Sequence, residues 1–508
     1  MCGLLFTNDP TIGEPRFRRA ADLLSHRGPD APTGYAALAN SKLGHRRLKI
    51  LDLDDRSNQP FFSRDGRYVM AFNGEIYNFT ELAREYKIVQ RTSSDTEVLV
   101  ELYAKYGPQI LNRLNGMWAC VILDTWNQTT LIARDRLGVK PLYITRHGES
   151  ITVSSEVAPL LELYGVPGLD PLGVRQYLKL RTFFNNRTIY SGIQMFPAAH
   201  YSLNGSLTRY WSLPEGEQAP PTDEELRHLI ESAVQYRLTS DVPVGSYLSG
   251  GLDSTIVAGL AGKPHTWTVG FASSNEFEWA QLAARRYGTV HSETIVDEAE
   301  FEHIVKQMIT ARREPLSVPN EVLLFKMSQH VKTKNTVVLS GEGADELFFG
   351  YDRIFRWAAK ARWDLREFTK LYAYGSHEDD EIVEDAISPF MGRGSVVNIV
   401  AAFFQVAHLH GLLRRLDNAT MQCAVEARVP FVDFRLVERL AGVPVQYRMA
   451  NGVVKAPLKR IFNDLVPAEI TNRPKVGFPV PLASIYRTST RTPMDAWLHA
   501  NLQSLNLN

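Results

Sequence analysis

Three cysteines, Cys2, Cys120 and Cys423, are too few and too widely spaced for a disulfide framework or a zinc-ligand cluster. Their scarcity points to a reducing, cytoplasmic setting. Net charge is missing as well, since Lys+Arg 56 balances Asp+Glu 56. A nucleic-acid binder draws its affinity from an excess of cations against phosphate, so nucleic acid is not an expected partner. No apolar run reads as a membrane span. The longest, Val396 to Leu413, contains Gln405, His408 and His410 and ends in Arg414 and Arg415, a pattern that predicts a buried helix. At the N-terminus the apolar stretch Met1 to Phe6 is cut off by Asn8, Asp9 and Pro10, too soon for a signal-peptide core. Internal repeats and low-complexity tracts are absent too.

What is present is an ordinary globular composition, 44% hydrophobic and 22% charged, in a chain of 508 residues that can bury at least two cores. Short apolar runs at Tyr68–Phe72, Met117–Leu123, Thr130–Ala133 and Ile151–Val153 are separated by Gly, Asn and Asp turns and interrupted by a helical pattern at Thr96–Tyr106. They predict an α+β half with mainly antiparallel pairing. The segment Leu213–Thr222, LPEGEQAPPT, reads as a linker. Thr222 and Glu225 then have capping-box spacing ahead of Leu226, Leu229, Ile230, Ala233, Val234 and Leu238 at helical intervals. Beyond it strands at Val244–Leu248, Thr266–Phe271, Val290–Val296 and Thr336–Leu339 alternate with helices at Ser254–Ala261, Ala280–Tyr287 and Phe301–Arg312. That alternation predicts an α/β half with a parallel, doubly wound sheet, followed by mostly helical chain from about Asp352. The expected organisation is therefore residues 2–212, a linker at 213–222, and residues 223–508.

Cys2 directly follows Met1, whose removal is expected before so small a side chain and would put a thiol and a free α-amine on one residue. At roughly pH 7.5 about a third of such an amine is neutral and can relay the thiol's proton. A second-position cysteine alone carries little weight. The segments after it add the rest: His26-Arg27-Gly28-Pro29-Asp30, His45-Arg46-Arg47-Leu48-Lys49-Ile50, Asn73-Gly74-Glu75-Ile76-Tyr77-Asn78, Ser94-Asp95-Thr96-Glu97, Gly116-Met117-Trp118-Ala119 and Arg134-Asp135-Arg136-Leu137-Gly138. In this order they resemble the class II glutamine amidotransferase domain. The resemblance implies an Ntn-type antiparallel β-sandwich with flanking helices and Cys2 as nucleophile. It further implies an oxyanion hole from the Asn73 side chain and the Gly74 N–H. Arg47 would take glutamine's carboxylate, Asp95 and the backbone around Glu75 its ammonium, and Leu48, Lys49, Ile50 and Leu51 would complete the binding segment. Asn73-Gly74 also has the composition of a hairpin turn. Arg46 reads as a solvated neighbour and His26 as structural.

In the second half, Ser249-Gly250-Gly251-Leu252-Asp253-Ser254 lies between a predicted strand and a predicted helix, where backbone N–H groups and hydroxyls can meet phosphate. It lacks the GK[ST] of a Walker loop and resembles the PP-loop of ATP pyrophosphatases, which release AMP and pyrophosphate. Ser340-Gly341-Glu342-Gly343-Ala344-Asp345-Glu346 again sets glycines and acids after a strand, Glu426-Ala427-Arg428-Val429-Pro430-Phe431-Val432-Asp433 follows, and Lys455-Ala456-Pro457-Leu458-Lys459-Arg460 comes last.

Both halves in this order resemble the glutamine-hydrolysing asparagine synthetase family. The resemblance implies ATP as substrate and Mg²⁺ held by Asp253 and Asp345. It also implies nucleotide contacts from Leu248, Ser249, Gly250, Gly251, Asp253, Ser254, Val269, Ser340 and Gly341. Glu342 would act in adenylate formation and ammonia deprotonation, and Lys455 would steady the departing pyrophosphate, with Lys459 a lesser candidate. Glutamine, ATP and a carboxylic acid are the expected partners, and a homodimer is admitted. The acceptor-binding segment is expected near Glu314-Pro315-Leu316-Ser317-Val318-Pro319-Asn320-Glu321, where Val318, Pro319 and Glu321 depart from the small, hydroxyl-rich pattern of the family. Aspartate is the leading acceptor, and the alternative is a different acid of secondary-metabolite or surface-polysaccharide synthesis.

Overall fold

A computed structural model describes residues 2–360, 362–473, 479–487 and 491–505. Its first half is a sandwich of two six-stranded antiparallel sheets, as the short alternating runs predict. One sheet is ordered Ile193–Met195, Tyr143–His147, Ser150–Ser154, Gly3–Thr7, Ser41–Arg46, Gly34–Leu38. The other runs His200–Leu203 between Ser206–Arg209 and Thr129–Arg134, then Gly116–Asp124, Tyr68–Ile76 and Phe61–Phe62. Period-two alternation decides which side chains meet. Leu4 and Phe6 face Val69, Ala71, Val121 and Ile132 inside the sandwich. Leu5 points the other way, onto Phe17, Ala20 and Leu163 of two covering helices. Met70, Phe72, Trp118 and Cys120 likewise turn outward, onto Val98 and Leu102 of the helix Asp95–Tyr106.

The second half holds a five-stranded parallel sheet in the order His291–Val296, Thr266–Phe271, Val244–Tyr247, Val337–Leu339, Glu426–Arg428. The strand Glu426–Arg428 is absent from the sequence reading, because two of its three residues are charged, as is the helix Asn320–Val331. Half of the expected capping box forms. Thr222 Oγ1 accepts from the Glu225 N–H at 3.1 Å, but the Glu225 carboxylate turns to Arg439 at 2.5 Å instead of back to Thr222. The apolar run lies in one helical stretch, Val396–Met421, with a π turn at Phe404–His408. Among the described residues it is the one helix apolar and long enough to cross a membrane, and 67% of that window is buried inside the protein.

The two halves meet over a mixed interface. Leu48 and Ile50 pack on Val337, Met421 and Ala424. Beside them the fully buried Arg27 bridges Glu156 and Asp417, each at 2.9 Å, and Lys140 reaches Asp417 at 3.2 Å. Arg428 adds a contact of 3.4 Å to Glu75.

Candidate active sites

Two constellations stand on opposite sides of this interface. In the first, Cys2 immediately precedes the central strand Gly3–Thr7 and is 7% exposed. Its backbone N–H donates to Asn73 Oδ1 at 3.0 Å, and Arg27 Nε donates to its carbonyl at 3.1 Å. Met1, whose loss would turn that nitrogen into the free amine, lies outside the described residues. Burial pushes the thiol's pKa up, while the Leu48 N–H and the Arg47 charge draw it down. A thiol so placed needs a base to react.

Asn73 and Gly74 do not form a hairpin turn. They lie inside the nine-residue strand Tyr68–Ile76, opposite Ala119 and Trp118. Gly74 is required there by packing, since a β-carbon would fall 2.2 Å from the Met117 carbonyl. A strand of this length holds the Asn73 side chain rigidly over Cys2. Ser155 Oγ supports it from behind, 3.5 Å from Asn73 Nδ2.

Arg47 is buried, and its guanidinium donates to the Asp54 carbonyl at 2.7 Å, Asn58 Oδ1 at 2.9 Å and the Leu51 carbonyl at 3.1 Å, with Asp52 beside them. These acceptors are neutral, and no carboxylate pairs with Arg47 among the described residues, so its charge stays available for an anion. Lys49 instead bonds Asp55 at 2.8 Å, and Arg46 is tied to Thr33 at 3.0 Å rather than free in solvent. His26 bonds Glu156 at 2.9 Å, a structural partner. Asp95 starts the helix Asp95–Tyr106, where the N-terminal dipole favours an anion. Its carboxylate accepts from the Ile76 N–H at 2.8 Å, yet burial still lifts its pKa to about 6. Glu75 is pushed well above the usual carboxylate range by burial and by Asp95 and Glu426, with Arg428 opposing.

The second constellation surrounds a cavity of about 310 Å³ at the C-terminal ends of the parallel strands. Leu248, Ser249, Gly251, Asp253 and Ser254 line it from the first loop, and Ser340, Gly341, Glu342 and Asp345 from the second. The loops nearly touch: a β-carbon on Gly341 would sit 2.8 Å from the Ser254 nitrogen. Lys455 Nζ is held between Asp253 at 2.5 Å and Asp345 at 2.6 Å. Burial alone would lower its pKa, but the two carboxylates overcome that and raise it. Gly350 allows this approach, because a β-carbon there would overlap Asp345 Oδ1 at 1.6 Å. Glu346 behind them is raised by burial and by Asp345 and Glu342.

Gly250 and Val269 are not among the lining residues. Gly250 packs on Trp279 at φ +72, and Val269 is buried in the strand core, while its neighbour Trp267 faces the cavity. The expected acceptor segment contributes only Asn320. Glu321 is locked by Arg312 at 2.8 Å and the Ser317 N–H at 2.6 Å, and Glu314 takes the Tyr143 hydroxyl at 2.7 Å. Sequence reasoning missed three groups on this wall: Arg415, 2.8 Å from Glu342, Tyr351, and Arg181 from the first half. Arg414 and Arg415 were visible only as the polar end of an apolar run. No signal marked Arg181.

Comparison with known proteins assigns both constellations to families. Residues 1–211 match the family described as glutamine amidotransferase domain, and residues 225–507 match asparagine synthase. The chain is 30% identical to asparagine synthetase B [glutamine-hydrolyzing] of Escherichia coli, over 94% of this chain and 82% of that one. It is 27% identical to asparagine synthetase [glutamine-hydrolyzing] 1 of Bacillus subtilis, over 99% and 90%. A putative asparagine synthetase [glutamine-hydrolyzing] of Mycobacterium tuberculosis is 29% identical over 91% and 84%.

Proposed function

The chain belongs to the glutamine-hydrolysing asparagine synthetase family, and on that premise we propose that it amidates aspartate, using ATP and the amide nitrogen of glutamine, by way of an acyl-adenylate. The observation that carries this reading is the latch of Lys455 between Asp253 and Asp345 at the rim of a cavity that also holds Glu342. Two carboxylates and a lysine meeting at the end of a parallel sheet suit a polyphosphate whose charge must be balanced as it leaves.

In this reading residues 2–212 form the glutaminase, 213–222 the linker and 223–508 the synthetase. The Cys2 thiol loses its proton to the residue's own amine and attacks glutamine's amide carbon, with Asn73 and the Gly74 N–H stabilising the oxyanion. Arg47 holds the α-carboxylate and Asp95 the ammonium. Ammonia leaves as a thioester forms, and water then releases glutamate. On the other side the Ser249–Ser254 loop and Ser340 position ATP, and the acceptor carboxylate displaces pyrophosphate. The hard oxygens of Asp253 and Asp345 fit Mg²⁺, which on binding would neutralise phosphate charge and free Lys455 to follow the pyrophosphate. Glu342, held by Arg415, takes a proton from ammonia as it displaces AMP. A buried route between the sites keeps ammonia neutral and water away from the adenylate.

The test is pyrophosphate and AMP release with ATP, Mg²⁺ and ammonia across a panel of carboxylic acids. Release with aspartate supports the reading. Release with another acid and none with aspartate would retain the adenylating mechanism and overturn the acceptor. Absence with every acid would overturn both.

A further inference from the structure

We propose that Arg181, carried by the glutaminase half, recognises a second acidic group of the acceptor, which makes this enzyme selective for acids bearing two anionic groups. The inference rests on the adenylating reaction proposed above and assigns a side chain to acceptor choice.

Arg181 ends the helix Pro171–Leu180 and lines the adenylation cavity, although that cavity is otherwise built by the second half. Its guanidinium stacks over Tyr374 with 3.5 Å between the charge centre and the ring centroid. The other arginines on the cavity wall are committed: Arg415 to Glu342 and Arg473 to Glu276. Among the described residues no carboxylate pairs with Arg181. A guanidinium held flat against an aromatic ring keeps its in-plane donors directed away from the ring, the geometry that receives a carboxylate bidentately.

The position of Arg181 separates it from the nucleotide. Thr182, its neighbour, accepts from Arg414 at 3.4 Å on the helix whose Leu412 and Arg415 also face the cavity. Its charge draws down the pKa of Tyr372, which burial raises. The Tyr372 hydroxyl bonds His408 at 2.9 Å, and His408 in turn meets Tyr351 at 3.2 Å. Arg181 therefore belongs to the wall of Arg415, Tyr351 and Glu342, whereas the Ser249–Ser254 loop and Lys455 mark the phosphate end. An acid whose reacting carboxyl sits beside Glu342 can place a second carboxylate on Arg181.

Backbone geometry supplies a clean test. Arg181 adopts φ 59 and ψ 5, with its N–H closing the helix on the Tyr177 carbonyl. Glycine is the residue best suited to that left-handed cap, so Arg181→Gly removes the side chain and relieves the backbone at once. The fold has no need of an arginine here.

The experiment measures pyrophosphate release by the full-length enzyme with aspartate, glutamate and succinate, each against its half-amide retaining one free carboxyl (isoasparagine, isoglutamine, succinamate). The unaltered enzyme is expected to favour the diacid, and Arg181→Gly to abolish that preference by raising the diacid KM about 10- to 100-fold, the loss typical of a charge-assisted contact. The KM for ATP stays put, the melting temperature does not fall, and Arg181→Lys restores part of the preference. An undiminished preference in Arg181→Gly, or a rise in the KM for ATP in place of the acceptor, would overturn the assignment of Arg181 while leaving the reaction intact. A half-amide favoured by the unaltered enzyme would do the same. No pyrophosphate release from any pair by the unaltered enzyme would overturn the reaction itself, and this inference with it.

Discussion

The glutaminase and adenylation sites are built on opposite plans. Around Cys2 the working groups sit in or beside long antiparallel strands, and the site is closed: Asn73 and Glu426 are fully buried, Cys2, Glu75 and Asp95 nearly so. Around Lys455 they sit on loops at the ends of short parallel strands, facing a cavity of about 310 Å³. The first plan suits a small substrate whose oxyanion needs fixed donors. The second suits a large, charged substrate that must enter, change shape and leave in two pieces. Charge follows the same division. Burial dominates at the glutaminase site, where it lifts Asp95 and Glu75, while opposite charges dominate at Lys455.

The comparison can be broken one side at a time. Replacing Cys2 with Ala should lower glutamine-dependent amidation by about 10⁴-fold or more, as losses of covalent nucleophiles do. Synthesis from free ammonia should persist, measured by AMP release with ammonium replacing glutamine. On the other side, Lys455→Met should reduce pyrophosphate formation by about 10³-fold through lost charge stabilisation, while glutamate release from glutamine remains measurable.

Cutting between the two plans is a matter of stability. Asp417→Ala would leave Lys140 without its carboxylate and Arg27 with one of two. Uncompensated buried charge costs about 3–5 kcal/mol, to be read from denaturant unfolding, and a loosened interface should raise the number of glutamines hydrolysed per AMP formed.

The smallest effect is a pH dependence. Burial raises Asp95 from 3.8 to about 6, so the folded chain keeps a proton that the unfolded chain has released, and stability falls as pH rises through that window. Glutamine's ammonium compensates the ionised form, so its KM should rise about tenfold per unit as pH drops below about 6. The same titration with Asp95→Asn should give a weak, flat dependence.

Legibility in the sequence divides along the same line. The adenylation loops are contiguous motifs after predicted strands, so Ser249–Ser254 and Ser340–Asp345 could be found by pattern, and Thr266–Phe271 is the strand that was expected. What could not be read is what distance in sequence conceals. Glu426 and Arg428 look like surface charge until Glu75, some 350 residues earlier, is brought against them. The expected acceptor segment was misjudged because Glu314 and Glu321 pair internally, with Tyr143 and Arg312. Arg181 reaches its cavity from the other half, and no local pattern announces that.

The central claim is that the nitrogen released at Cys2 is consumed at the adenylate. Supplying [amide-¹⁵N]glutamine, ATP and acceptor, and following product mass with nucleotide products, tests it most directly. The account predicts ¹⁵N in the product amide with one AMP and one pyrophosphate per labelled molecule. ADP and phosphate as the nucleotide products, or label confined to free ammonia while unlabelled amide forms, would contradict it.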